Sequence, residues 1–357
     1  MSNPVKTKKP QIHEAYGAHR DILLAALSLL IISCYMYGLR PLFLVCTALL
    51  TAVISDFLAA KLRGLPYNST ENSSLCTAVI LTLMMPATVS YYVVIVAVLM
   101  AVLVGKHLFG GYGAYPFNPA AVGYVVALVG WPTQLTQYPT PFTSIPLWDT
   151  AGVIYSTSPM ATMKLDGLPN ITPMNLALGN YAGGMGATAV LVVFSCFLLL
   201  LLRKRISFIA PVTFLFTCAA IAFCFPRVAG ADRLDVVKYE LLSSTLIYAA
   251  VFLLSDLSTL PKKRSSRIVF GLVLGALTMA FRYYGAYELG VCFALIVVNA
   301  VSGYLDRMTA RAVGWWRTRS LQKNNPELQL KPPRPAAAEE TAERPAEGAA
   351  PQEGGAQ

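Results

Sequence analysis

About ten runs of mostly apolar residues follow one another between Ile22 and Leu305, with short basic clusters between them. A bilayer's hydrocarbon core is roughly 30 Å thick and takes ~20 apolar helical residues to cross. Backbone polar groups in hydrocarbon must be satisfied within their own segment, so a single chain patterned this way is confined to helices. Composition agrees: 55% of the residues are hydrophobic and 13% charged, against about a quarter charged in a soluble domain. The chain is expected to be an all-α integral membrane protein of about ten transmembrane helices. The runs lie near 22–38, 42–60, 74–86, 91–105, 117–131, 188–202, 206–225, 241–254, 268–282 and 289–305.

The charges orient these runs. Lys6, Lys8, Lys9 and Arg20 precede the first; Lys61 and Arg63 follow the second, Lys106 the fourth, Arg203–Lys204–Arg205 the sixth, Lys262 to Arg267 the eighth and Arg307 to Arg319 the tenth. All fall on one face if both termini are cytoplasmic, as expected for a multi-pass protein of the bacterial inner membrane. The exception is the loop with Arg227, Arg233 and Lys238, offset there by Asp232, Asp235 and Glu240. The net charge of +10 is thus explained by lipid and orientation. Nucleic-acid binding, which needs basic residues gathered on one exposed face, is not expected. Residues 1–20 are polar and basic, and Arg40 and Pro41 rather than a small-residue cleavage site follow the first run, so no cleavable signal peptide is expected. Seven cysteines lie in or beside apolar runs with no CxxC spacing; they read as small packing residues, and no metal site is expected.

Five divisions follow: a cytoplasmic segment 1–20, a first five-helix unit 21–131, an extracytoplasmic loop 132–187 rich in Thr, Ser, Pro and Gly and ordered in parts, a second five-helix unit 188–305, and a tail 306–357, basic and then disordered. Tyr112-Gly113-Ala114-Tyr115 recurs as Tyr284-Gly285-Ala286-Tyr287, with Phe109 and Phe281 at the same offset. Both copies join the fourth and fifth runs of their half. Because each half has five runs, the halves are expected to be inverted repeats, whose broken helices meet near the midplane; here those are the third and fifth runs, with Pro86 and Pro119.

Three segments offer chemistry. The stretch 105–113 runs into Pro116-Phe117-Asn118-Pro119-Ala120. Gly110 and Gly111 would let the backbone approach a ligand, and Asn118 would bond a ring carbonyl; the other reading is a tight turn with Asn118 as a helix cap. Asp256 either lines an ion path or pairs with Lys262 or Arg282; Asp56 and Glu288 fit structural pairing better, Lys61 being one partner. In the outer loop, Ser156-Thr157-Ser158 precedes Pro159. Alone it is a polar turn. A hydroxyl that accepts a phosphoester must be reachable by a modifying enzyme, and the three histidines, His13, His19 and His107, offer no hydrolytic triad.

The run Lys106-His107-Leu108-Phe109-Gly110-Gly111-Tyr112-Gly113…Pro116-Phe117-Asn118-Pro119-Ala120 resembles the signature of the RnfD/NqrB membrane flavoprotein family. That family holds the D-type membrane component of Rnf electron-transport complexes and the B-type component of sodium-pumping NADH:quinone reductase. Asp256…Pro261, Phe270-Gly271…Gly275, Arg282-Tyr283-Tyr284-Gly285 and Glu288-Leu289-Gly290-Val291 follow in the family's order. The short N-terminal extension and outer loop favour the RnfD branch. The resemblance implies a membrane flavoprotein with FMN joined through its phosphate to an outer-loop hydroxyl by a separate flavin transferase, and riboflavin held noncovalently among the helices, as in the related pump. The chain would be one member of a six-subunit complex passing electrons between ferredoxin and NAD, coupled to export of Na+ or H+, and not active alone. Against the family's Ser-Gly-Ala-Thr-Pro-Leu motif, Ser158 takes the acceptor's place and Thr157 is the second choice. Ala187 stands where the family usually has Glu. A small-solute channel or permease is the alternative from the residues themselves, and it would need no hydroxyl motif in the outer loop.

Overall fold

The computed structural model describes residues 10–64, 71–165, 167–228, 230–242, 245–285 and 289–324, with side chains from Gly17 to Trp315. Glu288, half of the second Tyr-Gly-Ala-Tyr copy and residues 325–357 lie outside the described residues. The fold is almost entirely helical. Five helices are long and apolar enough to cross a membrane: α1 (Pro10–Tyr37, from Gly17), α2 (Arg40–Leu62), α4 (Tyr91–Leu99, continued by a wide π-turn over Met100–Lys106), α13 (Arg264–Tyr284) and α14 (Gly290–Asn324). Four apolar helices are shorter: α3 (Ser73–Met84), α5 (Pro119–Gly130), α9 (Val190–Leu202) and α10 (Ile209–Cys224). The eighth apolar run is broken. Its residues divide between α11 (Arg233–Leu242) and α12 (Leu246–Tyr248, with a second π-turn over Ala249–Leu253), bent by 57°. The protein is a multi-pass membrane protein.

Short helices leave backbone groups that lipid cannot satisfy, and the structure meets that demand by pairing broken ends. The twelve residues of α3 reach only about 18 Å at 1.5 Å per residue. Beyond its end, Gly186 N donates to the Leu83 carbonyl (2.8 Å) and Met185 N to that of Met85 (2.9 Å). Close approach requires glycine here: a Cβ on Gly184 would stand 2.4 Å from the Met84 oxygen. At the start of α5, Asn118 accepts from Ala121 N (3.2 Å) and donates to the Leu253 carbonyl (2.9 Å), at the end of the second π-turn. One side chain thus caps one broken helix and closes another.

α10 and α13 pack through small residues. A Cβ on Gly271 would lie 1.9 Å from Thr213 Oγ1, and one on Gly275 2.6 Å from Thr217 Cβ, so the four-residue glycine spacing lets the two backbones close together.

The segment between α5 and α9 carries more structure than its composition suggests. It holds α6 (Pro132–Thr136), a two-residue ladder between β1 (Tyr138–Pro139) and β2 (Tyr155–Ser156), α7 (Pro159–Lys164) and α8 (Pro173–Leu178). Arg40, buried, fastens it: the guanidinium donates to the carbonyls of Ala87 (3.0 Å), Val89 (3.2 Å), Pro146 (2.8 Å) and Leu147 (2.8 Å). The Tyr91 hydroxyl also donates to Leu147 O (2.8 Å). At the other boundary, α14 runs on to Asn324, well past the apolar run that ends near 305. No proline interrupts 306–325 and Ala, Arg, Met and Leu favour helix there, so part of the expected tail is helical. Residues from Ala310 onward form a separate unit.

Candidate functional site

Two regions at opposite ends of the bundle gather the chemistry-bearing residues. α3 marks the axis: Ser74 in its first turn belongs to the end where Lys106 lies, and Leu83 to the end where the 183–187 loop docks.

At the loop end, the hydroxyls of 156–158 differ sharply. Ser156, in β2, and Thr157 are exposed, whereas Ser158 is 6% exposed. The Ser158 hydroxyl accepts from Ala161 N at 3.0 Å and caps α7, with Pro159 at the first helical position. The polar turn expected from composition is therefore a helix start, and Ser-x-x before an amide is a sufficient local reason. Ser158 also faces a void of about 30 Å³, room for about one water, lined among others by Met160, Gly183, Gly184 and Ala187. Ala187, where the resembled family carries a carboxylate, is thus a neighbour of the candidate acceptor.

Behind α7 lies an ion-pair cluster. Arg282, 1% exposed, pairs with Glu240 (Nη2 to Oε2, 2.9 Å), donates to the Glu240 carbonyl (3.2 Å) and touches the Met160 sulfur. Arg227 lies 3.6 Å from Glu240 Oε1 and stacks over the Tyr283 ring. Lys164 Nζ donates to Gly285 O (3.0 Å). Arg227, the awkward charge of the orientation pattern, is thus consumed internally, and Lys238 is paired with Asp235 (2.5 Å).

At the Lys106 end there is a cavity of about 710 Å³, within the range of small-molecule and cofactor sites. His19, Tyr112, Tyr115 and Asn118 give it flat and polar walls, Arg203 to Arg205 a basic one, and Asp256 and Ser258 an acidic and hydroxylic one. The basic turn is held in place by Asp21, which pairs with Arg203 (2.6 Å) and Arg205 (2.7 Å). Asp256 accepts from Ser258 N (3.0 Å) and Oγ (2.5 Å). Burial, with the Asp256 charge beside it, pushes the Tyr115 phenol well above its ordinary range, so it stays protonated at neutral pH.

Some expected partners differ. Among the described residues Asp256 makes no ion pair with Lys262 or Arg282; its neighbours are hydroxyl and amide donors. Asp56 is paired, but with Lys106 (3.4 Å) and His107 (2.6 Å) rather than Lys61. Gly110 and Gly111 do not line the cavity. They form a left-handed turn (φ 116° and 93°) whose carbonyl at Gly110 accepts from Arg63 (3.0 Å), and the cavity wall begins at Tyr112. Sequence reasoning missed the Lys106–Glu71 pair (2.7 Å) and the Arg282–Glu240 pair. The signal available was a carboxylate just ahead of the third apolar run of each half.

Comparison with known proteins follows the same residues. Positions 6–314 match the NQR2, RnfD, RnfE family. The D-type component of the proton-translocating ferredoxin:NAD(+) oxidoreductase complex of Clostridium ljungdahlii is 26% identical over 300 residues, covering 81% of this chain and 88% of that protein. The D-type component of the ion-translocating oxidoreductase complex of Haemophilus influenzae is 30% identical over 338 residues, covering 84% and 93%. Its counterpart in Ectopseudomonas mendocina is 30% identical over 307 residues, covering 81% and 88%.

Proposed function

From the premise that the chain belongs to the NQR2, RnfD, RnfE family, we propose that it is the D-type membrane component of an Rnf-type complex that passes electrons between ferredoxin and NAD and exports Na+ or H+. The names of its relatives support the complex and the ion movement. The gathering of Arg63, Lys106 and Arg203 to Arg205 at one end of the bundle supports cytoplasmic termini and an extracytoplasmic 132–187 segment in the inner membrane. The ten apolar helical segments are then two inverted five-helix repeats, with α3 and α5 as their broken members.

FMN is esterified through its phosphate to a hydroxyl of 156–158, installed by a flavin transferase from the outer side. The observation that carries this is the placement of that hydroxyl run at the mouth of an ordered strand–turn–helix anchored by Arg40 and Arg282. Ser158 is the first choice. An ester and phosphate oxygen there still accepts the Ala161 N–H, so modification preserves the cap in kind; the hydroxyl must first emerge from its cover. Thr157 is exposed and is the second choice. The small void beneath Ser158 does not hold a ring system, so the isoalloxazine lies outside it. The 710 Å³ cavity fits a riboflavin-sized ligand, with Asn118 beside it but committed to Ala121 and Leu253.

Bound flavin would supply one- and two-electron transfer. The chain fixes the attachment point, shields Ser158 from bulk solvent and holds Asp256 with hydroxyl donors at the cavity wall, where it serves the ion path. Coexpression with a flavin transferase is expected to give a fluorescent band in a denaturing gel, abolished by Ser158→Ala. A band that survives Ser158→Ala but not Thr157→Ala moves the attachment by one residue. A band absent from the unsubstituted chain, or indifferent to both changes, overturns the flavin assignment.

A further inference from the structure

A buried cation stands at the end of the fourth apolar helix of each half of the chain, the two being about one helical turn apart in the register of the Tyr-Gly-Ala-Tyr repeat. Lys106 ends the fourth apolar helix, shortly before Tyr112-Gly113, and reaches Glu71 (2.7 Å), which stands just ahead of α3. Arg282 ends α13, shortly before Tyr284-Gly285, and reaches Glu240 (2.9 Å), in the helix just ahead of α12. Each pair therefore ties the end of its half's fourth helix to the start of its third. The pairs lie at opposite ends of the bundle, because Lys106 also donates to Ser74 (2.7 Å) at the start of α3, while Arg282 touches Met160 in the segment docked where α3 finishes.

Both cations are nearly sealed, Lys106 at 2% and Arg282 at 1% exposure. Burying an ion pair gives little or no stability over an apolar packing of the same volume. What such a pair does provide is a discrete, breakable choice of contact between two helices. Its appearance at the corresponding helix end of each half, with different residue types and opposite direction along the bundle, points to a shared mechanical task.

We propose that Lys106–Glu71 and Arg282–Glu240 are twin locks, one sealing each end of the bundle, and that ion translocation releases them one at a time. This rests on the ion-translocation reading above. Both locks are closed in the structure, each cation being held on its carboxylate. At the Lys106 end a monovalent cation arriving at Asp56 and Glu71 competes with the ammonium for the same carboxylates, freeing α3 from the fourth helix. Equivalent release at Glu240 opens the other end. Two states exchanged about a central region are what inverted repeats permit.

Native cysteines report on each lock. Cys76 lies in α3 two residues after Ser74, and Cys292 in the first turn of α14, whose first residue Gly290 packs against the Arg282 backbone; both cysteines are buried. The complex in sealed membranes is exposed to a membrane-impermeant maleimide from either side, and labelling is read peptide by peptide by mass spectrometry. Lys106→Met is expected to speed labelling of Cys76 from the cytoplasmic side at least about tenfold, with Cys292 within about twofold of wild type. Glu240→Gln is expected to do the reverse from the outer side, and Lys106→Arg to restore protection. Joint rise of both cysteines in either variant, or no change in either, overturns the locks. If Lys106→Met does not accumulate, Glu71→Gln gives the same readout. The wild-type complex also tests the idea without substitution: turnover must raise labelling of both cysteines, each from its own side, and constant labelling refutes it. The fluorescent flavin band, measured on the same samples, reports separately on the flavin assignment.

Discussion

Replacing Arg40 by Met should free the outer segment that carries the 156–158 hydroxyls. In the native protein the guanidinium donates to Pro146 O and Leu147 O, both at 2.8 Å. Hydrogen bonds to a charged group contribute about 1.5–3 kcal/mol each. These two carbonyls are only part-buried and Leu147 O keeps its bond from Tyr91, so water and the tyrosine recover part of the loss. A net cost of about 2–3 kcal/mol to the closed segment remains, a rise of roughly 30- to 150-fold in its open population. Proteolysis of a transiently open segment follows that population when closing is fast. Chymotrypsin, with Phe142, Trp148 and Tyr155 as nearby sites, should therefore cut the 140–157 region of the Arg40→Met protein faster by that factor. Arg40→Lys, which keeps the charge but not the fork of donors, should fall between the two. Cleavage within about threefold of wild type would refute the argument that the guanidinium bonds restrain this segment.

Two further outcomes follow from the packing. Gly271→Leu should separate α10 from α13 and lower the yield of folded protein on size-exclusion chromatography, whereas the exposed Leu272→Ala should leave it unchanged, since only the first position meets Thr213. Asn118→Ala should lower the thermal midpoint, removing a cap and a buried bond to Leu253 worth together about 2–3 kcal/mol, and Asn118→Ser, which keeps an uncharged cap acceptor but not the amide donor to Leu253, should lose less; equal losses would remove the cap from the account.

What was legible in the sequence was what periodicity and charge carry. The apolar runs predicted helices whose bounds mostly fall within a few residues of those observed, and the shortness of the third and fifth runs was visible beside Pro86 and Pro119. Asn118 before Pro119 announced a cap. Burial within a local motif was not legible: Ser-Thr-Ser reads as an exposed polar turn until Pro159 is seen to start a helix and enclose Ser158. Pair partners were also hidden. Lys61 is nearer to Asp56 in sequence than Lys106, but Lys61 points from the last turn of α2, while the π-turn delivers Lys106 to the interior. The bend between α11 and α12 has no proline or glycine to mark it, and the pairing of Glu240 with Arg282 and Arg227 joins residues too far apart in the sequence for local pattern to reveal.

The π-turn over Met100–Lys106 has a consequence for motion. A π ring encloses one more residue than an α ring, so the helix carries a surplus residue that belongs to no fixed position. Sliding that surplus along the helix keeps the backbone bonded while turning each residue it passes by about 100° about the axis. Lys106 sits at the downstream edge of the surplus. Its ammonium can therefore swing off its carboxylates by a change of phase, without the helix melting.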